Sequence, residues 1–279
     1  MLGDPFVLPT GDGLALAAAD WPAADPPHQR GVVVLVHGLG EHMARYPHVV
    51  ARLQRADFSV LAYDQRGHGT SPGRRGFVPS FDQLLDDLQT AHEAAATRHP
   101  GLPVFLYGHS LGGLLVLLAA LQRRPAVRGI VCTGPFLRAA FRPPRGKVLL
   151  AKMAARMWPH LVLGSGLDPY GLSRDSAVVR AYIEDPLVHD RLSSRLGAGM
   201  LEGGGWALAH AAEMYLPLLL MHGAADPLTS AAASQEFAAA VPTACTMRIW
   251  EGLYHEIHNE PEQGQVLDVM CGWLASRVE

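Results

Sequence analysis

Three residues of this 279-residue chain have the types and order needed for nucleophilic catalysis. Ser110 lies in Gly108-His109-Ser110-Leu111-Gly112, between the apolar run Pro103-Val104-Phe105-Leu106-Tyr107 and a Leu/Ala-rich helical pattern. That reads as a strand, a tight turn and a helix with serine at the apex. Such a turn strains the serine backbone so that its hydroxyl projects above the sheet, and the flanking glycines carry no Cβ to collide with strand or helix. A serine hydroxyl is a poor nucleophile near neutral pH, so it needs a general base and a group to orient that base. In this arrangement the chain order is serine, acid, histidine. Asp226, in Met221-His222-Gly223-Ala224-Ala225-Asp226-Pro227, and His255, in Tyr254-His255-Glu256-Ile257-His258, keep that order, each beyond a late strand-like run. Ser110, Asp226 and His255 are the predicted triad. Taken singly, Asp226 could be a turn residue or a helix cap. His255 is one of 14 histidines, and His258 is the rival base. The amide of Leu111, at the helix start, and that of Leu39, in the Gly-rich turn after the first core strand, are the predicted oxyanion donors.

Two other chemistries can be weighed on the same residues. His37-Gly38-Leu39-Gly40 after a strand, with Asp64 closing the next, mimics a dinucleotide fingerprint, but Met43 stands where the third glycine is needed. His255 and His258 could share a helix face as metal ligands, yet His-Glu-x-x-His is absent and no third ligand is apparent. Neither a cofactor nor a metal is expected.

The elements that must position the triad follow from patterning. Residues 6–21 read as a hairpin turning at Gly11-Asp12-Gly13. Strands are predicted at 31–36, 58–64, 104–109, 128–133, 216–221 and 246–250, and helices at 47–55, 80–98, after Ser110, and at 262–276. Continuous apolar strands alternating with helices predict an α/β fold, with a mostly parallel central sheet flanked by helices. The loops after residues 36, 64, 109, 221 and 250 should converge at the carboxyl edge of that sheet, where ligands bind. Residues 136–205 break the rhythm, contain no strand-like run, and read as an inserted helical cap on a single domain spanning 1–279. Within it Met153 and Met157 share a face with Leu149, flanked by Leu150, Ala154, Trp158 and Leu161, while Lys152 and Arg156 lie on another. The stripe either packs on the core or touches a membrane or micelle.

With 49% hydrophobic residues the chain can bury a large core, and its net charge of −3 gives no reason to expect nucleic acid binding. Residues 101–122 lack charged side chains, but Pro103, four glycines, His109 and Ser110 argue against a membrane span. Three widely spaced cysteines, Cys132, Cys245 and Cys271, fit neither a disulfide framework nor a thiolate zinc site; a cytoplasmic location, peripheral to a membrane at most, is expected. The opening residues lack the basic region and apolar core of a secretory signal.

His37-Gly38-Leu39-Gly40-Glu41-His42-x-x-Arg45-Tyr46, Asp64-x-x-Gly67-His68-Gly69-x-Ser71, the Ser110 turn, Tyr254-His255-x-x-His258 and the stretch from Ser173 to His189 together resemble the monoacylglycerol lipase family of α/β-hydrolases. The resemblance implies a serine esterase that takes a small lipid ester and releases fatty acid and glycerol. It further implies a polar alcohol pocket lined by Glu41, Arg45, Tyr182 and His258; an i,i+4 salt bridge between Glu41 and Arg45 is compatible with that role. Leu39 is bulkier than the residue usual there, which bears on acyl-pocket width. For the cap, Met153, Met157 and Trp158 are expected to line an apolar tunnel or its mouth. A lysophospholipase or broad carboxylesterase with the same triad is the nearest alternative, since Arg45, Lys152 and Arg156 could meet a phosphate. A peptidase is less favoured because no acidic cluster is apparent to capture an amino terminus. A non-catalytic binding protein on the same fold is the alternative from another class.

Overall fold

A computed structural model of the chain describes residues 3–141, 146, 153, 156–242 and 244–278. In chain order the strands are β1 (Asp4–Pro9), β2 (Ala15–Trp21), β3 (Gly31–Val36), β4 (Phe58–Tyr63), β5 (Val104–His109), β6 (Gly129–Thr133), β7 (Val162–Gly164), β8 (Arg191–Ser193), β9 (Leu218–Gly223) and β10 (Cys245–Trp250). All but β7 and β8 join one sheet in the order β1-β2-β4-β3-β5-β6-β9-β10. The β1–β2 hairpin adds to β4 antiparallel, and every pairing from β4 across to β10 is parallel.

The apolar runs are continuous because both sheet faces are covered. Val32, Val34 and Val36 of β3 pack with Leu106, Ile130 and Leu220 under α2 (Asp82–Arg98) and α3 (Leu111–Leu118). Val33 and Leu35 face the other way, with Phe105, Val131 and Leu219, against α1 (Pro47–Arg55) and the C-terminal helix (Gln263–Ala275). Successive side chains thus serve opposite cores, as a period of two requires. Strand order reverses between β3 and β5. The loops leaving those two strands open the crevice where an α/β sheet binds its ligand.

The segment between β6 and β9 carries α4 (Ser176–Glu184) and α5 (Ser194–Ala209). No strand is expected there from the sequence, yet β7 and β8 pair antiparallel, Val162 with Ser193 and Gly164 with Arg191. At three residues each they are too short to show an alternation. Helix α5 also runs past residue 205 and lays its Gly203 against Leu114 and Leu118 of α3. The returning limb is tied to the sheet's loops: His189 N–H donates to the Gly40 carbonyl at 2.9 Å, Ser193 N–H to that of Gly76 at 2.7 Å, and His42 Nε2 meets Asp185 at 2.9 Å. An Ala-rich helix, α6 (Ala231–Ala240), capped by Ser230, follows β9 and has no amphipathic pattern to reveal it from sequence. The last helix is α7 (Gln263–Ala275).

The seat of α3 is set by glycine. A Cβ on Gly112 would collide with the Val36 and His37 carbonyl oxygens, and one on Gly108 with the backbone of Gly112. Gly112→Ala should push α3 off β3 and cost about 2–3 kcal/mol, as overpacking does. The measure is the urea midpoint at unchanged m-value; an unmoved midpoint would show that this contact does not seat the helix.

Candidate active site

The turn after β5 is strained as its sequence predicts. Ser110 has φ 53° and ψ −113°, a conformation that costs a non-glycine residue roughly 1–3 kcal/mol. Its backbone is pinned on both sides: Ser110 N–H donates to Thr133 O and Phe136 N–H donates to Ser110 O, each at 3.0 Å. Every residue from 104 to 121 is buried except Ser110. Its hydroxyl forms no hydrogen bond among the described residues. Leu111 is the first residue of α3, so its N–H has no acceptor within the helix.

The turn after β3 faces it; an added Cβ on Gly38 would lie 3.3 Å from the Ser110 Cβ. Glu41 holds this turn in shape. Its Oε1 accepts from Gly38 N–H at 2.6 Å and from the Tyr46 hydroxyl at 2.7 Å, and its Oε2 accepts from Arg45 at 2.7 Å. The Leu39 amide, inside that turn, makes no hydrogen bond among the described residues.

Asp226 and His255, the predicted acid and base, lie in the loops after β9 and β10. His255 Nδ1 lies 2.7 Å from Asp226 Oδ2, with both side chains buried. Burial alone would lower the His255 pKa, but the charge and hydrogen bond of Asp226 outweigh it and raise it above the ordinary value. Burial would likewise raise the Asp226 pKa, and the charge of His255, with hydrogen bonds from His222 and His255, holds it below the usual carboxylate range. The turn role of Asp226 coexists with this one: Oδ1 accepts from the amides of Leu228 at 2.7 Å and Thr229 at 3.0 Å. His258 does not reach Asp226. It is fully buried, stacked on Tyr46 at 5.0 Å between ring centroids, edge-on to His109 at 4.7 Å, and burial lowers its pKa to about 3. Both its ring nitrogens lack a partner among the described residues.

Arg45 stands at the centre of the polar side of the site. Besides Glu41 it forms a bidentate pair with Glu256 at 2.7 and 2.9 Å, and its guanidinium lies 4.7 Å from the Tyr182 ring centre. Glu256 is fixed from its other side by Asn259 Nδ2 at 2.7 Å. Burial would raise the Glu256 pKa, yet Arg45 keeps it well below the carboxylate range. No acidic cluster is apparent in the sequence, because the chain separates Glu41 from Glu256 and only the fold unites them. Glu41, His109 and Glu256 offer ligand atoms within 4.8 Å of one another, but Arg45 already supplies the cation for both carboxylates.

Two more residues escaped the sequence reading: His222 and Thr229 both bond Asp226 Oδ2, at 3.0 and 2.8 Å. A signal for His222 existed. A histidine in the otherwise apolar Leu218-Leu219-Leu220-Met221-His222 strand must find a partner once buried. Met153, Met157 and Trp158 stand 50%, 59% and 60% exposed; Met153 lines a 520 Å³ cavity with Phe81, Arg156, Arg195 and Ala198. Leu149, Leu150, Lys152 and Ala154 lie outside the described residues.

Comparison with known proteins sets this geometry in a family. The family profile described as serine aminopeptidase, S33, matches residues 27–262. A monoacylglycerol lipase of Mycolicibacterium smegmatis is 36% identical over 259 residues, covering 92% of this chain and 91% of that protein. An uncharacterised abhydrolase domain-containing protein of Dictyostelium discoideum is 36% identical over 98% of this chain, which spans only 29% of that longer protein. The crystal structure of the Paleococcus ferrophilus monoacylglycerol lipase superposes with a TM-score of 0.86 at 38% identity, covering 94% of this chain and 99% of that one. The chain belongs to the monoacylglycerol lipase family of α/β-hydrolases.

Proposed function

We propose that the protein hydrolyses monoacylglycerol to fatty acid and glycerol, with Ser110 as nucleophile, His255 as general base and Asp226 as its orienting acid. The single observation that carries the reading is the buried 2.7 Å bond from His255 Nδ1 to Asp226, set beside a strained, accessible serine. Ser110 Oγ attacks the ester carbonyl while His255 Nε2 takes its proton. The amides of Leu39 and Leu111 receive the oxyanion, and collapse of the tetrahedral intermediate expels glycerol, which His255 protonates. Water then attacks the acyl-enzyme by the same route, releasing the fatty acid and restoring Ser110. The relatives described as monoacylglycerol lipases support the substrate class.

The polar side of the site favours a neutral alcohol over a phosphate. Arg45 is already neutralised by Glu41 and Glu256, which together carry two negative charges against its one. An anionic headgroup there would meet a carboxylate surplus. Glu41, Arg45, Tyr182 and His258 suit a glycerol head, which needs donors and acceptors without net charge. Residues 136–205 form the cap in this reading. Of the nine large apolar side chains exposed among the described residues, eight lie between Phe141 and Ile183, so the cap is the part suited to touch a lipid aggregate. No helix of the described residues is long and apolar enough to cross a membrane.

Ser110→Ala should lose fluorophosphonate labelling and several orders of magnitude of ester hydrolysis, leaving roughly 10³-fold or less over water. Labelling of a peptide centred on another serine would sink the assignment. Glu256→Gln removes one charge from Arg45. It should raise the ratio of lysophosphatidylglycerol to monoacylglycerol hydrolysis by roughly tenfold, the effect of about 1.4 kcal/mol; an unchanged ratio would mean the carboxylate surplus does not select the headgroup. Met157→Asp should raise KM for long-chain monoacylglycerol presented in micelles and leave a soluble acetate ester nearly untouched. Equal losses on both esters would make the cap merely structural.

A further inference from the structure

The mechanism requires Asp226 to face His255 through Oδ2, but it does not explain why a second histidine bonds the same oxygen. His222, at the end of β9, is fully buried, with Nε2 3.0 Å from Asp226 Oδ2 and Nδ1 2.8 Å from the Ser234 hydroxyl. A carboxylate only accepts hydrogen bonds, so the His222 nitrogen that faces it must carry the proton. In the neutral ring, Nδ1 is then the acceptor and the Ser234 hydroxyl the donor. Ser234 is itself fully buried in α6, and its hydroxyl has no other partner among the described residues. Its helix starts at Ser230, whose side chain accepts from Ala233 N–H at 3.2 Å, so the position of Ser234 is set by the cap of α6.

From this geometry we infer that His222 and Ser234 are positioning residues for the acid–base pair. The Asp226 carboxylate fixes the His222 tautomer, Ser234 anchors the ring through Nδ1, and the Nε2–H of His222 holds Asp226 Oδ2 beside His255 while drawing off part of its charge. The inference rests on the reading of Ser110, His255 and Asp226 as the triad. Thr229 Oγ1 is the third group on Oδ2, and it also lies 3.1 Å from the Gly134 carbonyl. The remaining groups near His255 are Glu256 and Glu41, both paired with Arg45, and the rings of His109 and His258, whose burial favours their neutral form. None of them bonds Asp226, so His222 is the ring that shares its carboxylate with His255.

The sign of the effect follows. With the His222 donor removed, more of the carboxylate charge falls on His255 and stabilises its imidazolium. The acid limb of kcat/KM against pH must then move upward, because the base works only when neutral. His222→Leu should lower kcat/KM for a soluble nitrophenyl ester by roughly tenfold at neutral pH, the loss expected for a hydrogen bond to a charged group, and raise the acid limb by about half a unit. His222→Gln, which can still donate, should recover most of the rate and return the limb. Ser234→Ala, a milder change that keeps the fold testable if His222→Leu does not express, should shift the limb in the same direction by less. Fluorophosphonate labelling of Ser110 in the unmodified protein is run alongside. Failure there would remove the triad and this inference with it. If the protein labels normally, a rate loss with an unmoved limb, or a glutamine variant no better than leucine, would show that His222 only fills space and would overturn the inference.

Discussion

Burying a guanidinium costs several kcal/mol unless its charge is matched and its donors are used. Arg45 meets that condition with two carboxylates from distant parts of the chain, Glu41 after β3 and Glu256 after β10. The pairing therefore does more than neutralise. Glu41 also grips the Gly38 amide, and Glu256 directly follows His255, so one cation fixes the distance between the Leu39 turn and the histidine loop. Removing it would leave two buried carboxylates facing each other, and both loops would have to separate to hydrate them.

The turn that carries Ser110, the proposed nucleophile, depends on a different constraint. The strain at Ser110 is maintained because its amide and carbonyl are held by Thr133 and Phe136, residues at and beyond the end of the neighbouring strand. The sheet thus supplies the energy that keeps the hydroxyl proud of an otherwise buried segment. Asp226 is treated the same way, with both oxygens committed before any substrate arrives. Little reorganisation is left for the reaction itself.

Much of this was legible in the residues. The 31–36 and 47–55 elements appear at the predicted bounds, since a doubly buried strand and a strongly amphipathic helix each leave an unmistakable period. The order of Ser110, Asp226 and His255 was readable because it follows the order of the strands that carry them. What stayed hidden was whatever depends on contact between distant segments: the three-residue β7–β8 pair, the Glu256–Arg45 bond, and the His222–Asp226–Thr229 cluster. A stripe such as Met153, Met157 and Trp158 marks an apolar surface in sequence. Which way that surface faces is decided by packing, and here all three side chains are exposed by half or more.

The bond from His189 N–H to the Gly40 carbonyl has a consequence for how such a chain can diversify. Gly40, at φ +78°, lies so close to His189 that no side chain fits there, and the neighbouring residue is Leu39. Drift in the limb around His189 would be transmitted straight into the turn that carries Leu39, the proposed oxyanion donor. The limb that leaves β6 has no comparable tie to that turn among the described residues. It is tied instead to the other loops of the site, through Phe136 N–H to the Ser110 carbonyl and Ala140 N–H to that of Leu228, so whoever exchanges segments between relatives meets a different loop of the site at each limb of the insert.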